Sequence, residues 1–580
     1  MRLLPDGPQA LAPDETFDLV VAGAGGAGLA CAVFAALDGA RVLLVEHADR
    51  IGGTTAWSAG TTWVPGTEHA ARVHRADGLD AARTYLDHAV GDRSPRALRE
   101  AFLTHGPAAI ATLEARSEVR FRPYPRHPDY ESELPGSTLC GRALEPLPFD
   151  GRRLGPLFAL LRPPIPEFTV LGGMMVDRTD IQHLLGLRNS LASLRHAARL
   201  LWRHACDRLR HPRGTRLVMG NALVARLLAS LQAQPTVTLA LRTAVTGITR
   251  EDGRVVGATL ECGALQRRVR VRCGLVLATG GFNRHPEMRA RLLPGIPAEW
   301  SPAAPGHTGR AQQAALDIGA HQGTGALSPA FWAPCSQRLR ADGSLAVFPH
   351  FVMDRAKPGV ITVNPRGERF LNESSSYHLF GLAMQAAPAG IPAWLVCDAD
   401  ALRAYGLGMV RPGGRGLAPF LADGYLHRAD TLDALASQLG MDSGCLRASV
   451  AQNNTAAAAG RDEAFGRGTT AYQQNLGDPG RAGAGGNPNL GPLATAPFYA
   501  LRLFPGDIGA ATGLVTDAQA QALDAQGQPI PGLYAVGNDM QSIMGGVYPA
   551  PGITIGPGIV FAYLASRHAL AAAGTAVPQD

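Results

Sequence analysis

The sequence predicts an α/β protein: a Rossmann-type domain, closed by the C-terminal end of the chain, with an α+β domain inserted into it. Three observations predict this. A short apolar run, Phe17–Ala22, leads directly into Gly23-Ala24-Gly25-Gly26-Ala27-Gly28 and an Ala-rich stretch to Leu37. A second run of the same kind, Leu533-Tyr534-Ala535-Val536, ends on Gly537 and is followed by a helical pattern from about Gly556. Between them, from about Phe331 to Phe504, proline becomes more frequent and the apolar spacing irregular. At 580 residues the chain is too long for one core, and the expected division is 1–330 and 506–580 for the two parts of the Rossmann-type domain and 331–505 for the insertion.

The elements follow in order. Phe17–Ala22 is nearly continuous in apolar residues, as suits a strand covered on both faces. Asp38-Gly39 ends the helix after it, and Arg41–Val45 is a second buried strand that stops at Glu46. Val237–Arg242, Ala244–Arg250 and Val255–Cys262 read as strands around turns such as Glu251-Asp252-Gly253. Leu275–Ala278 is a further buried strand running into Thr279-Gly280-Gly281, and Thr308–Gly319 has helical periodicity. Gly477–Gly491 is a Gly/Pro/Asn loop. The apolar stretch Ile553–Ala565 contains glycine and proline and is too short to cross a bilayer, so it reads as a buried helix.

The glycines of the first unit have separate tasks. Gly23 permits the tight turn, Gly25 lets backbone approach a pyrophosphate, and Gly28 lets helix and strand pack closely. The helix start, with Gly26 and Ala27, offers unsatisfied N–H groups to phosphate. Glu46 stands eighteen residues beyond Gly28, at the tip of the second strand, where it can accept ribose hydroxyl hydrogens. A second glycine turn follows at once: Gly52-Gly53-Thr54-Thr55, then Ser58-Ala59-Gly60. That placement resembles flavoproteins, in which such a loop runs along the pyrophosphate toward the isoalloxazine. Gly280, Gly537-Asn538 and Thr554-Ile555 are assigned to the same cofactor, FAD. The last helix would turn its positive end toward the flavin; core packing alone is the competing reading of that helix. No histidine lies between Gly52 and Gly66, where covalent-flavin proteins carry their attachment residue, so the FAD is expected to be non-covalent.

Bulk properties remove other classes. The formal charge is +6, but Lys357 is the only lysine and the arginines are scattered without a basic block, so nucleic acid is not the expected partner. The eight cysteines include no CxxC pair, so no metal centre is expected, and they read as buried small hydrophobes in a reducing compartment. Met1–Asp14 lacks an apolar signal core and no transmembrane segment is expected, which points to the cytoplasm.

Several longer blocks then carry a resemblance: Arg142–Gly155, Ala278–Met288, Val360–Tyr377, Phe465–Gly468, Gly513–Asp517 and Tyr548–Gly552. Together with Gly23–Gly66 they resemble the 3-ketosteroid Δ1-dehydrogenase branch of the fumarate reductase/succinate dehydrogenase flavoprotein superfamily. The resemblance implies a bacterial FAD enzyme of steroid degradation that acts on CH–CH groups and passes electrons to an external acceptor, a quinone or similar. Fumarate reductases carry an arginine proton donor four residues after the glutamate matching Glu373; here that position is Tyr377. Their dicarboxylate clamp is matched here by Gly513 and Tyr548, and a dicarboxylate without arginines would leave charges unpaired in a closed pocket. Tyrosines suit a neutral ketone.

By the same resemblance, the Tyr548 hydroxyl and the Gly552 N–H bind the ketone oxygen, Tyr377 is the general base, Tyr130 assists it, and Phe351 lines the substrate site. Gly546 and Ala550 depart from the pattern, in which histidine and glycine are usual. The implied activity is desaturation of a 3-ketosteroid or similar cyclic ketone next to its carbonyl. Desaturation at the 4,5 bond, an ene-reductase running the chemistry backward, and an electron-relay subunit are the alternatives.

Overall fold

The computed structural model describes residues 1–580 apart from 74–77, 187–189, 353, 484 and 575–580, so the last six residues of the expected C-terminal part lie outside it. The first βαβ unit forms from Glu15–Ala22, Gly26–Leu37 and Val42–Val45. Its helix is buried on nearly every side, which explains an alanine-rich composition without an amphipathic stripe. Val237–Ala240 adds in parallel beyond Val42–Val45, and Arg2–Leu4 beyond that. On the other side, Leu265–Leu277 runs parallel to Glu15–Ala22 and pairs through Leu275–Leu277 with Leu533–Ala535. Residues more than 500 positions apart are thus joined through one intermediate strand. Ala22, Val45, Leu277 and Ala535 all end at one edge of this sheet, where the loops carrying Gly23, Glu46, Gly280 and Gly537 emerge. That edge is where open α/β sheets bind ligands.

Leu265–Leu277 is thirteen residues long, against the four expected from Leu275 onward. Its first half alternates exposed Gln266, Arg268, Arg270 and Arg272 with partly buried Leu265 and Arg267 and buried Val269 and Val271, and it pairs antiparallel with Arg254–Cys262. A run so rich in charge does not read as a buried strand, although period-two alternation is present. The last helix, Ile555–Ala572, runs seven residues past the end of its apolar signature and packs beside Gly26–Leu37, with Phe34 and Tyr563 rings 5.1 Å apart. Gly477–Gly491 contains a short helix, Pro479–Gly483. Four cysteines (31, 273, 335 and 397) are buried as expected, but Cys140, Cys262 and Cys445 are partly exposed and Cys206 is exposed.

A second sheet is antiparallel throughout, in the order Leu345–Pro349, Ala330–Leu339, Phe498–Ala510, Ala393–Cys397, Val360–Val363. Alternate residues of its strands enter two different cores. Val360, Leu395, Cys397 and Leu501 pack with Phe380 and Met384 on one face. Ile361, Trp394, Val396 and Ala500 pack with Leu435, Leu446 and Val450 on the other. Both faces being covered, the strands lose the polar-out alternation that marks a half-exposed sheet.

Candidate active site

The nucleotide channel is shaped by small residues from four segments. Gly23 has φ +105°, and a Cβ on Gly28 would lie 1.8 Å from the Gly23 carbonyl oxygen. A side chain on Gly25 would meet open space, whereas Cβ atoms on Gly537 and Gly558 would come within 3.1 and 3.4 Å of Ala27. A Cβ on Gly53 would lie 3.5 Å from the Gly25 Cα. The helix start therefore opens on a channel that larger side chains would fill. Its Gly26 N–H donates to Thr55 Oγ1 (3.1 Å), and the N–H groups of Ala27 and Gly28 have no protein acceptor among the described residues. Orphan donors at a helix start beside a side-chain-free channel fit a pyrophosphate.

Glu46 is buried, which raises its pKa, and its two oxygens each accept one backbone N–H, from Ala24 (2.8 Å) and Ala48 (2.9 Å). Each keeps a lone pair for a ribose hydroxyl. Thr54 Oγ1 accepts from Ala304 N–H and contacts His307 Nε2. Ser58 Oγ donates to the Thr55 carbonyl and accepts from Gly60 N–H, fixing the second glycine turn, with Ala59 exposed between them. Gly52 caps that turn at φ +122°. A side chain on Gly280 would enter the His307 ring.

Asp539 joins the distant halves of this site and was not foreseen. Buried directly after Gly537-Asn538, it accepts from Thr279 N–H and Oγ and from Gly281 N–H (3.0 Å), and burial pushes its pKa up to about 6. Its position in the Gly537-Asn538-Asp539 turn was the available signal. A small cleft beside it is lined by Asn538, Thr554, Pro557, Gly558 and Phe331.

Phe331 connects this cleft to a cluster of aromatic rings. Its ring is 5.1 Å from that of Tyr548. Tyr548 in turn lies 5.1 Å from Tyr377 and 5.8 Å from Tyr130, and Phe351 is 4.9 Å from Tyr377. Tyr130 Oη donates to Tyr377 Oη at 3.2 Å. The structure thus brings all four aromatic site residues named from the sequence into one cluster.

Each is held by identifiable contacts. The Pro549 carbonyl, next to Tyr548, accepts both Tyr130 N–H (2.7 Å) and Tyr85 Oη (2.6 Å). Asp129, beside Tyr130, forms a buried ion pair with Arg142 (3.0 Å) and accepts from Trp63 Nε1. Tyr377 is the first residue of the Tyr377–Ala386 helix, capped by Ser376 Oγ, so its hydroxyl belongs to a residue at the positive end of a helix. Glu373, four residues earlier, is buried against Arg369 and Arg467 and anchors that turn to the Val360–Val363 strand through Thr362 N–H.

Two members of the cluster were missed. Tyr472 packs on Tyr130 at 4.6 Å, and the Arg355 guanidinium stands beside its hydroxyl. Arg355 is fully buried and its side chain donates to the carbonyls of His350, Phe351, Glu373 and Ser375; no carboxylate pairs with it among the described residues. Nothing local in the sequence distinguishes either residue, because both act through the fold of the inserted segment.

Burial dominates the titration of the phenols. It holds Tyr377 and Tyr130 well above the ordinary tyrosine value, and for Tyr130 the hydrogen bond to Tyr377 and the charge of Arg355 oppose it. His378, after Tyr377, is pushed down to about 4 by burial and is neutral, contacting the Gly546 carbonyl through Nε2 and Trp332 N–H through Nδ1. Gly546 has φ +79°, and a side chain there would lie 2.5 Å from the Ser328 carbonyl, which accounts for the glycine. Gly552 (φ +90°) is packed against Thr61 and Trp63, and its N–H donates to no protein group among the described residues. A cleft of about 590 Å³, lined by His88, Arg93, Leu327, His378 and Tyr548 among others, opens beside the phenols.

A pyrophosphate channel at the carboxyl edge of a parallel sheet, with an enclosed phenol cluster against it, defines a dinucleotide-binding α/β protein with a separate site for an organic substrate. More specifically, residues 18–555 match the family described as FAD binding domain, and the chain belongs to that family; FAD is its cofactor. It is 35% identical over 579 residues to a 3-oxosteroid 1-dehydrogenase of Mycolicibacterium smegmatis, covering 96% of this chain and 98% of that one. It is 36% identical over 559 residues to a 4-oxocyclohex-2-ene-1-carboxylate 5-dehydrogenase of Sinomonas cyclohexanicum, covering 95% and 93%. A solved 3-ketosteroid Δ1-dehydrogenase from Sterolibacterium denitrificans, in complex with 1,4-androstadiene-3,17-dione, superposes with a TM-score of 0.89 at 33% identity over 96% of this chain and 100% of that one. Among the described residues no helix is long and apolar enough to cross a membrane.

The absence of histidine from Gly52 to Gly66 gives a first prediction. Acid or heat is expected to release the flavin into the supernatant. Flavin colour that stays with the precipitated protein would contradict non-covalent binding.

Proposed function

We propose that this chain is a dehydrogenase that desaturates a 3-ketosteroid, or a similar cyclic ketone, between the two carbons next to its carbonyl. The observation that carries the reading is the phenol cluster: Tyr377 and Tyr548 rings 5.1 Å apart, with Tyr130 Oη donating to Tyr377 Oη. Tyr548 and the unpartnered Gly552 N–H come from one turn and are suited to donate to a single ketone oxygen. Two donors there stabilise the enolate that forms as the neighbouring carbon loses a proton. Tyr377 takes that proton. Tyr130 Oη, donating to Tyr377 Oη, would stabilise the phenolate against the burial that holds the Tyr377 pKa up. The Gly23–Gly28 start, Glu46, the Gly52–Gly60 turns and Gly537-Asn538 would hold FAD, which when bound would supply the hydride acceptor. An external electron acceptor, a quinone or similar, completes the cycle.

In this reading residues 331–505 form the substrate domain over the site. The rings around Tyr377 suit an apolar ketone, and Arg355 beside them is committed to backbone carbonyls.

Because burial keeps Tyr377 neutral near pH 7, its ionised fraction grows about tenfold per pH unit until its pKa is reached. Flavin reduction by subsaturating 3-ketosteroid is therefore expected to rise steadily from about pH 6 to about pH 9. A plateau beginning near neutral pH would assign the base to a different group.

A further inference from the structure

Tyr377 opens the Tyr377–Ala386 helix, whereas Tyr548 stands in the turn that follows Gly545-Gly546. The spacing of the two phenols therefore depends on what joins that helix to that turn, and one side chain makes the connection. His378, the second residue of the helix, has Nε2 3.1 Å from the carbonyl oxygen of Gly546, 168 positions along the chain, and Nδ1 3.2 Å from the backbone nitrogen of Trp332. A backbone N–H only donates, so Nδ1 accepts from Trp332. Burial pushes the imidazole pKa down to about 4, and in the neutral ring the single proton then sits on Nε2 and is donated to Gly546.

The surroundings hold this bridge in place. Leu345–Pro349 pairs with Cys335–Leu339, so Trp332 lies beyond the end of that ladder, and the ladder on its other side slips register between Phe331 and Trp332. His378 thus takes up a buried N–H that the sheet leaves over. The Trp332 indole N–H donates to Ser328 Oγ (2.7 Å), and a Cβ on Gly546 would lie 2.5 Å from the Ser328 carbonyl oxygen, so strand and turn meet at one serine. Gly381, one turn beyond His378, lets the helix lie on the strand: a Cβ there would come 2.5 Å from that of Trp332. The imidazole is 1% exposed, with the Phe331 ring 5.8 Å and the Tyr548 ring 6.1 Å away between centroids. Of its two bonds, the one to Trp332 completes a strand, and the one to Gly546 reaches the turn that carries Tyr548.

We propose that His378 is a positioning residue for the reaction: its bond to the Gly546 carbonyl fixes the Tyr548 turn against the first turn of the helix, and so sets where a ketone oxygen held by Tyr548 lies relative to the base Tyr377. This rests on the reaction proposed above. A base misplaced by about 1 Å from the proton it takes costs on the order of a hundredfold in rate.

The test measures flavin reduction by 4-androstene-3,17-dione in the full-length holoprotein, after anaerobic rapid mixing, for three substitutions. His378→Leu should retain its flavin and bind the ketone nearly as before, while flavin reduction slows by about a hundredfold. Glutamine places its amide nitrogen where Nε2 stands, and asparagine places its amide oxygen where Nδ1 stands. His378→Gln should therefore recover most of the lost rate, and His378→Asn should not. On a Tyr548→Phe background the loss from His378→Leu should shrink to a small factor, since the donor that it positions is already gone. The proposal is overturned if His378→Leu reduces its flavin at close to the parental rate, if His378→Asn rather than His378→Gln restores the rate, or if the loss is as large without the Tyr548 hydroxyl. Should His378→Leu fail to hold flavin, the glutamine and asparagine substitutions decide by the same criterion. A parent protein whose flavin no ketosteroid reduces would refute the reaction itself, an outcome distinct from a working parent matched in rate by His378→Leu.

Discussion

Tyr377→Phe is expected to slow flavin reduction by 4-androstene-3,17-dione by about 10²–10⁴-fold, the range associated with loss of a positioned general base. The ring is packed by Tyr130, Tyr548 and Phe351, all within 5.5 Å between centroids, and phenylalanine keeps those contacts. What is lost is the oxygen that accepts from Tyr130. Binding of the ketone should change much less than the rate, because the hydroxyl acts on a carbon-bound proton. The flavin spectrum should be unaltered, since the hydroxyl interacts with Tyr130 and Tyr548 and, among the described residues, with none of the glycine turns. A near-parental rate for Tyr377→Phe, measured by anaerobic rapid mixing, would remove Tyr377 from the role of base.

The second large effect is expected at Tyr548. Tyr548→Phe removes one of two donors to the ketone oxygen, a loss that typically costs about 10²–10³-fold in turnover. Gly552 N–H remains, so the residual activity should exceed that of Tyr377→Phe. The hydroxyl of Tyr548 interacts with those of Tyr377 and Thr554. The two substitutions therefore share a network, and a double variant should fall short of the product of the single effects. Additive losses would mean that the two phenols act independently.

The nucleotide half of the site was legible because it consists of local motifs. Gly28 is fixed by the close approach of the Gly23 carbonyl, a requirement that acts within six residues, and Gly23 itself needs a positive φ. The return of Leu533–Ala535 to the sheet was legible because a buried parallel strand is apolar throughout. The phenol cluster is different in kind. Its members come from residues 130, 377, 472 and 548, and only a resemblance could associate three of them before the fold was known. Tyr472 and Arg355 match no local pattern, because each is defined by what packs on it. Asp539 stood next to a recognised glycine turn, yet its task, tying Thr279 and Gly281 to that turn, depends on a strand pairing across the sheet. The length of Leu265–Leu277 was lost for another reason: an antiparallel half facing solvent carries arginines, which mask a strand to a search for buried runs.

The central claim is that the enclosed phenols and the FAD of this chain together desaturate a cyclic ketone. Anaerobic mixing of the purified holoprotein with 4-androstene-3,17-dione, followed by absorbance of the flavin and mass analysis of the steroid, tests it most directly. The account predicts that the flavin bleaches in a single turnover and that the steroid is recovered lighter by two hydrogens, as 1,4-androstadiene-3,17-dione. A flavin that stays oxidised with this and other 3-ketosteroids, and with simple cyclohexenones, would contradict it.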